Sequence, residues 1–131
     1  MNGPRLVFAV AAWLFVAGIV IQVFLAGAGL FKLTDFTPHG YLGWLLPLVP
    51  VVLIILGAVA GVGRRTLLLT IALLVLTGIQ PELAAARHEN PVLAAFHPVN
   101  ALLVFWLAWT VARRGTDLIR VAGRPPATAT D

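Results

Sequence analysis

Residues 39–62 read HGYLGWLLPLVPVVLIILGAVAGV, a stretch of 24 residues that contains no Asp, Glu, Lys or Arg. A helix needs about 20 apolar residues to cross the hydrocarbon core of a bilayer. Three further apolar runs, at about 5–31, 65–83 and 97–113, have comparable lengths. The sequence therefore predicts an all-α integral membrane protein with four transmembrane helices.

The overall composition agrees with a membrane protein. Of the 131 residues, 60% are hydrophobic and 11% are charged, whereas soluble domains carry about 25% charge. The four runs fit in one transmembrane domain, residues 1–115, and leave no room for a separate soluble domain. The first run is too long for a signal-peptide core and is interpreted as a retained helix. The tail, residues 116–131, ends in GRPPATATD and is predicted to be cytoplasmic and disordered toward its end.

Several functional classes are excluded by what the chain lacks. There are no cysteines, which removes disulfide exchange, thiolate metal sites and covalent c-type haem attachment. No phosphate-binding loop, hydrolase triad or nucleic-acid motif is visible. The net charge of +4 could suggest nucleic acid, but the basic residues sit at the ends of the apolar runs. Membrane topology accounts for that distribution more simply, so we expect no nucleic-acid partner.

The distribution of arginine predicts the orientation. One side of the membrane would carry the basic residues Arg5, Arg64, Arg65, Arg113, Arg114, Arg120 and Arg124. The other side would carry a balanced set, namely Lys32, Arg87, Asp35, Glu82 and Glu89. Since basic loops stay in the cytoplasm, both termini are predicted to be cytoplasmic, in the inner membrane of a bacterium.

Two Gln–His pairs recur at one offset. Gln22 precedes His39 by 17 positions, and Gln80 precedes His97 by the same 17 positions, so the pairs are related by a shift of 58 residues. Each glutamine lies near the end of one apolar run, and each histidine begins the next. The shift predicts a bundle built from two helical hairpins of the same sense, related by an axis along the membrane normal.

The matched histidines predict a cofactor site. His39 and His97 begin the second and fourth helices, which run in the same direction and can lie diagonally in a four-helix bundle. Histidine is a standard axial ligand of haem iron, and bundle cores commonly hold such groups. We therefore expect one b-type haem, with His39 and His97 as its iron ligands, near the outer face of the membrane.

Other residues near the histidines are expected to support this site. Gln22 and Gln80 could fix the second nitrogen of each imidazole, bind the haem propionates, or bridge helices. Gly40 and Gly43 would leave room for a flat macrocycle beside His39. The remaining candidates are Asn100, about one turn deeper than His97, and the outer cations Arg87 and Lys32, which could meet the propionates.

Alternatives remain open at this stage. His88 could join the two histidines in a zinc or copper site, although no carboxylate is well spaced to complete it. A lipid or a quinone could occupy the same outer cleft. The main alternative is a non-enzymatic structural or accessory subunit of a membrane complex, in which the histidines and glutamines only tie helix ends together. Proton-coupled transport is disfavoured because no charged residue lies inside the apolar runs away from their ends.

The segments FHPVN (residues 96–100) and PHG (residues 38–40), together with the Gln-to-His spacing, resemble an uncharacterised family of small four-helix bacterial membrane proteins. The arrangement is also distantly similar to one half of haem A synthase, and this resemblance implies that His39 and His97 are axial haem ligands. In haem A synthase a glutamate precedes a ligand histidine by about one turn. The matching positions here are Phe36 and Ala94, which favours haem binding or electron transfer over an enzymatic reaction. Cytochrome b561-type proteins are similar in their histidine pairs but hold two haem layers.

Overall fold

A computed structural model of the protein describes residues 3–122. Its regular elements are α1 (Gly3–Leu30), α2 (Thr37–Leu45), α3 (Leu48–Ala60), α4 (Arg64–Ala85), α5 (Pro91–Ala94) and α6 (Phe96–Ala122), with a 3₁₀ turn at Ala86–His88. Within this range four helical units are long and apolar enough to cross a membrane: α1, α2 with α3, α4 with the 3₁₀ turn, and α5 with α6. The prediction of an all-α bundle of four membrane helices is confirmed, and the chain is a multi-pass membrane protein.

The four units pack as a ring. Helix α1 contacts α6 on one side and the α2–α3 unit on the other, and α4 contacts α3 and α6. The α2–α3 unit therefore lies diagonally across the bundle from α6. We call the end at which α2 and α6 begin the histidine end. The opposite end, at which α1 begins, α6 ends and residues 63–65 link α3 to α4, is called the arginine end.

Proline divides the second membrane unit into two helices. Helix α2 ends at Leu45, and α3 begins at Leu48 after Pro47, which has no N–H to continue the α2 ladder. Val49 N–H donates to the Leu46 carbonyl across the break, at 3.1 Å. Pro50 causes no second break, since it lies in the first turn of α3, where a missing N–H leaves no hydrogen bond unmade.

The connection at the histidine end of α4 is itself helical. Helix α4 passes through Pro81 and ends at Ala85, two residues beyond the predicted end of the third run. The 3₁₀ turn follows, and Asn90 then caps the short helix α5, its side-chain oxygen accepting from Leu93 N at 3.0 Å. This connection places Phe96, the first residue of α6, next to the end of α4.

The last helix is longer than predicted. Helix α6 continues to Ala122, whereas the sequence interpretation ended the fourth span at residue 113 and assigned residues 116–131 to the tail. The continuation packs on α1, because Gly115 lets the α6 backbone approach Phe8: a Cβ at position 115 would lie 3.0 Å from the Phe8 ring. Trp13 Nε1 also donates to Thr116 Oγ1 at 3.0 Å. The predicted disorder of residues 123–131 lies outside the described residues.

The apolar core is concentrated toward the arginine end. Its largest fully buried apolar side chains are Phe8, Phe15, Leu53, Leu73 and Val111. Two buried threonines of α4 satisfy their hydroxyls within the helix: Thr70 donates to the Thr66 carbonyl at 2.9 Å, and Thr77 donates to the Leu73 carbonyl at 2.6 Å. Polar side chains that bridge helices are found mainly at the histidine end, and that is where the candidate site lies.

Candidate functional site

His39 is held by a main-chain carbonyl of the preceding helix. It lies in the first turn of α2 and is half-buried. Its Nδ1 is 3.1 Å from the carbonyl oxygen of Gln22 on α1. A carbonyl can only accept a hydrogen bond, so Nδ1 must carry the proton. In the neutral imidazole this leaves Nε2 with its lone pair, the form in which histidine ligates metals.

The Gln22 side chain returns a hydrogen bond to the same residue. Its Nε2 donates to the main-chain carbonyl of His39 at 2.8 Å. Residues 22 and 39 therefore exchange two hydrogen bonds, each from the side chain of one to the main chain of the other. We call this arrangement a reciprocal Gln–His pair. It fixes both the start of α2 against α1 and the orientation of the imidazole ring.

The second hairpin repeats the arrangement. His97 Nδ1 lies 3.1 Å from the Gln80 carbonyl oxygen. The amide orientation that satisfies both Gln80 side-chain atoms places its nitrogen 3.1 Å from the His97 carbonyl, and its oxygen 3.2 Å from the Ala101 N–H. The 58-residue repeat is thus a repeat of hydrogen bonding as well as of residue type, and His97 has the same protonation pattern as His39.

The two imidazole rings meet across the bundle. Their centroids are 6.2 Å apart and their planes are inclined at 73°. They come from units that lie diagonally opposite each other, so few other contacts join these two units at this level. The Phe36 ring lies edge-on to His39 at a centroid distance of 6.2 Å. The structure therefore brings together the two residues that the sequence singled out.

The glycines of α2 serve two different purposes. A Cβ on Gly43 would lie 2.9 Å from the Gln22 amide nitrogen, so this glycine makes room for the reciprocal pair. A Cβ on Gly40 would meet nothing within 4 Å, so open space lies beside this residue. The Gln22 Oε1 atom is buried and has no hydrogen-bond partner among the described residues.

The other residues predicted to support the site, Asn100, Arg87 and Lys32, differ in burial and in their hydrogen bonds. Asn100 is buried, and its Nδ2 donates to the Leu76 carbonyl at 2.8 Å, which ties α6 to α4. Arg87 is exposed, and its Nη1 lies 3.4 Å from the Ala84 carbonyl at the end of α4. Lys32 is exposed in a left-handed conformation just after α1, with φ 60°. Only Asn100 among these three links one helix to another.

Within residues 3–122, no group of three or more His, Cys, Asp and Glu side chains is close enough to hold a metal ion. His88 is exposed in the 3₁₀ turn after α4. The three-histidine alternative is therefore wrong for this part of the chain. The donor set consists of two imidazoles.

Sequence reasoning missed the true partners of the ring nitrogens. It offered the glutamines as partners of the ring nitrogens, as propionate contacts or as helix bridges; the acceptors are their main-chain carbonyls, and the Gln22 side chain bridges α1 and α2. The equal 17-residue spacing was a sufficient signal for the pairing. It could not separate a side-chain acceptor from a main-chain one, because both belong to the same residue.

Fold and site together define a small four-helix membrane protein with two reciprocal Gln–His pairs at one end. Residues 22–86 match the family DUF6220, which is a family of unknown function. The matched region begins at Gln22 and includes His39 and Gln80 but ends before His97. No curated protein and no solved structure matches the chain.

Proposed function

We propose that this protein binds one b-type haem at the histidine end, with the Nε2 atoms of His39 and His97 as the axial ligands. The observation that carries the proposal is the pair of imidazoles, each with Nδ1 committed to a carbonyl, at a centroid separation of 6.2 Å. Each ring thereby keeps one free nitrogen, and the main chain sets its orientation before any ligand binds.

The separation of the rings suits a shared metal ion. Two metal–nitrogen bonds of about 2 Å each, plus roughly 1 Å from each nitrogen to its ring centre, give a centroid separation of about 6 Å. The observed 6.2 Å is close to this value. Packed aromatic rings also meet at centroid separations of about 4.5–7 Å, so the spacing supports a shared ion only together with the two Nε2 atoms left free.

The number of ligands favours haem over a bare ion. Zinc sites use at least three protein ligands, usually four, and the described residues offer two. A haem macrocycle supplies four nitrogens itself, so two axial imidazoles complete the coordination of its iron. Gly40 is exposed and has nothing within 4 Å of a Cβ position, so it places no obstacle beside His39.

The proposed activity is electron transfer or haem handling in the membrane. Bound haem would supply one-electron chemistry at its iron. The chain's own residues hold the ligands: Gln22 and Gln80 orient the two rings, and Asn100 fixes α6 against α4 one turn deeper. No further His, Cys, Asp or Glu joins the two histidines within residues 3–122, so a catalysed reaction is not part of the proposal.

The proposed topology places both termini in the cytoplasm of a bacterial inner membrane. The described arginines at the arginine end are Arg5, Arg64, Arg65, Arg113, Arg114 and Arg120, against one carboxylate there, Asp117. Basic residues of this kind are retained on the cytoplasmic side. The haem would then lie near the outer face, where another membrane subunit or a quinone could exchange electrons with it.

A second candidate is a structural or accessory subunit without a cofactor. The observation that favours it is that each reciprocal pair already ties two helix ends together through hydrogen bonds that need no cofactor. In this case the two imidazoles would meet only as packed rings.

Absorption spectroscopy distinguishes the two candidates. The full chain is produced in cells supplied with haem precursor, purified in detergent, and measured before and after reduction with dithionite. We expect a Soret band and a sharp reduced α band at one haem per chain. A colourless protein that also fails to bind added haemin would refute the haem proposal and favour the accessory subunit.

A further inference from the structure

A cleft opens between α1 and α6 at the arginine end, far from the histidines. Its volume is about 190 Å³, and it is lined by Trp13, Trp109, Arg113, Thr116, Asp117 and Arg120. Trp13 forms a rigid wall, because its Nε1 donates to Thr116 Oγ1 at 3.0 Å and its ring stands edge-on to Trp109 at a centroid distance of 4.9 Å. These two contacts hold the Trp13 ring in one orientation along the cleft.

The cleft carries excess positive charge. Arg113 and Arg120 are both exposed, and Arg113 has no ion-pair partner within residues 3–122. Arg120 is paired with Asp117 only loosely, at 3.9 Å between exposed groups. The neighbouring Arg114 is already used, since its Nε donates to Thr66 Oγ1 at 3.0 Å. Two cations against one carboxylate leave the cleft suited to an anion.

An apolar groove adjoins the cleft on its membrane side. It has a volume of about 220 Å³ and is lined by Phe105, Trp106 and Trp109. Trp109 is a wall of both spaces. The groove thus lies about one to two helical turns closer to the membrane centre than Arg113, and about three to four turns closer than Arg120. A ligand that fills both spaces must have an anionic head and an apolar chain.

We propose that these two spaces together bind an anionic phospholipid. Its phosphate would lie between Arg113 and Arg120, and one acyl chain would follow Phe105, Trp106 and Trp109 toward the membrane centre. Basic pockets between helices at a membrane surface bind such head groups. The adjoining apolar groove favours a lipid over free phosphate, because free phosphate has no apolar part that could fill the groove. This site is independent of the proposed haem site.

The proposal is tested by native mass spectrometry of the full chain in detergent, with added phosphatidylglycerol or phosphatidylcholine of the same acyl chains. We expect phosphatidylglycerol to bind more tightly. In the double variant Arg113→Gln/Arg120→Gln that affinity should fall roughly fivefold for each arginine removed. The matched control, Arg64→Gln/Arg65→Gln, removes the same charge from the same end but not from the cleft, and should bind as the unmodified protein does.

Two further variants make the test sharper. Asp117→Asn removes the one carboxylate of the cleft and should tighten phosphatidylglycerol binding. Trp106→Ala shortens the apolar groove at an exposed position and should weaken it. Equal binding of the two lipids, equal losses in the cleft and control variants, or displacement of the lipid by millimolar inorganic phosphate would each overturn the proposal.

Discussion

The imidazole rings of His39 and His97 lie 6.2 Å apart between centroids, although the two residues are 58 positions apart in the sequence and belong to diagonal units of the bundle. Each ring is fixed by the carbonyl of a glutamine on the preceding helix, at the same distance of 3.1 Å.

Removal of either histidine should abolish haem binding. His39→Ala or His97→Ala leaves one axial donor, and we expect the reduced α band of the purified protein to disappear in each variant. His88→Ala is the matched control, because this histidine is exposed in the 3₁₀ turn and away from the pair. A retained α band in either ligand variant would contradict the proposed ligation.

Gln80→Leu should destabilise the protein more than Gln22→Leu. The Gln80 amide has partners for both its nitrogen and its oxygen, whereas Gln22 Oε1 is buried without a partner. Each hydrogen bond contributes about 1 kcal/mol net, so the two losses should differ by about that amount. The free energy of unfolding in a denaturing-detergent titration measures the difference. Equal losses would show that the two amides are equivalent.

Gly43→Ala should weaken the first reciprocal pair. The added methyl would lie 2.9 Å from Gln22 Nε2, which is the end of a flexible side chain, so displacing the amide should cost about the one hydrogen bond it donates, roughly 1 kcal/mol of stability. Gly40→Ala serves as the control, since nothing lies within 4 Å of a Cβ there. Its stability should stay the same or rise by up to about 1 kcal/mol through helix propensity. Thermal unfolding measures both variants. If Gly40→Ala lowered the unfolding temperature more than Gly43→Ala, the role of Gly43 in accommodating the Gln22 amide would be wrong.

Gly115→Ala should separate α1 from α6. A Cβ at this position would lie 3.0 Å from the Phe8 ring and 3.3 Å from the Ala9 Cα, and a backbone atom cannot rotate away. Overpacking of this kind typically costs about 1–3 kcal/mol. Gly78→Ala on α4 meets nothing within 4 Å and should leave stability unchanged or raise it by up to about 1 kcal/mol through helix propensity. If the two variants unfold at the same temperature, the close contact between α1 and α6 at Gly115 does not contribute to stability.

Asn100→Leu should have a small effect on stability and none on the haem spectrum. The Asn100 amide donates to the Leu76 carbonyl, and such bonds between membrane helices average about 0.6 kcal/mol. Because this bond holds the Asn100 side chain between α6 and α4, we expect the side chain to stay there and not to contact the haem. A shifted Soret band in this variant would instead assign Asn100 to the cofactor.

The fold was largely predictable because the bilayer imposes a simple rule on length and hydropathy. The segment 39–62 is long enough to span the bilayer and contains no charged residue, which identifies it as a span. Three similar runs give the four helices of the bundle. The ends of the helices were less predictable. The sequence interpretation ends the fourth span at residue 113, the first of two arginines, whereas helix α6 extends to Ala122 and its continuation packs Gly115 against Phe8. Nothing local signals that contact.

The candidate site was predictable in its residues but not in its bonds. The repeated spacing placed Gln22 with His39 and Gln80 with His97, and the structure brings each pair into contact. The sequence interpretation assigned Gly43 to a macrocycle, yet its missing side chain accommodates the Gln22 amide. The position that corresponds to Gly43 in the second hairpin is Ala101. Because the glycine is not repeated, the sequence already indicated that Gly43 has a role only in the first hairpin.

Main-chain carbonyls hold both imidazole rings, and this has a consequence for how the protein can change over time. A point substitution deletes a side chain, but it cannot delete a carbonyl group. Any residue that keeps α1 and α4 helical at positions 22 and 80 will still present the acceptor that orients the histidine. The orientation of each ring therefore depends on the backbone fold. Substitution of either glutamine side chain should leave that orientation unchanged.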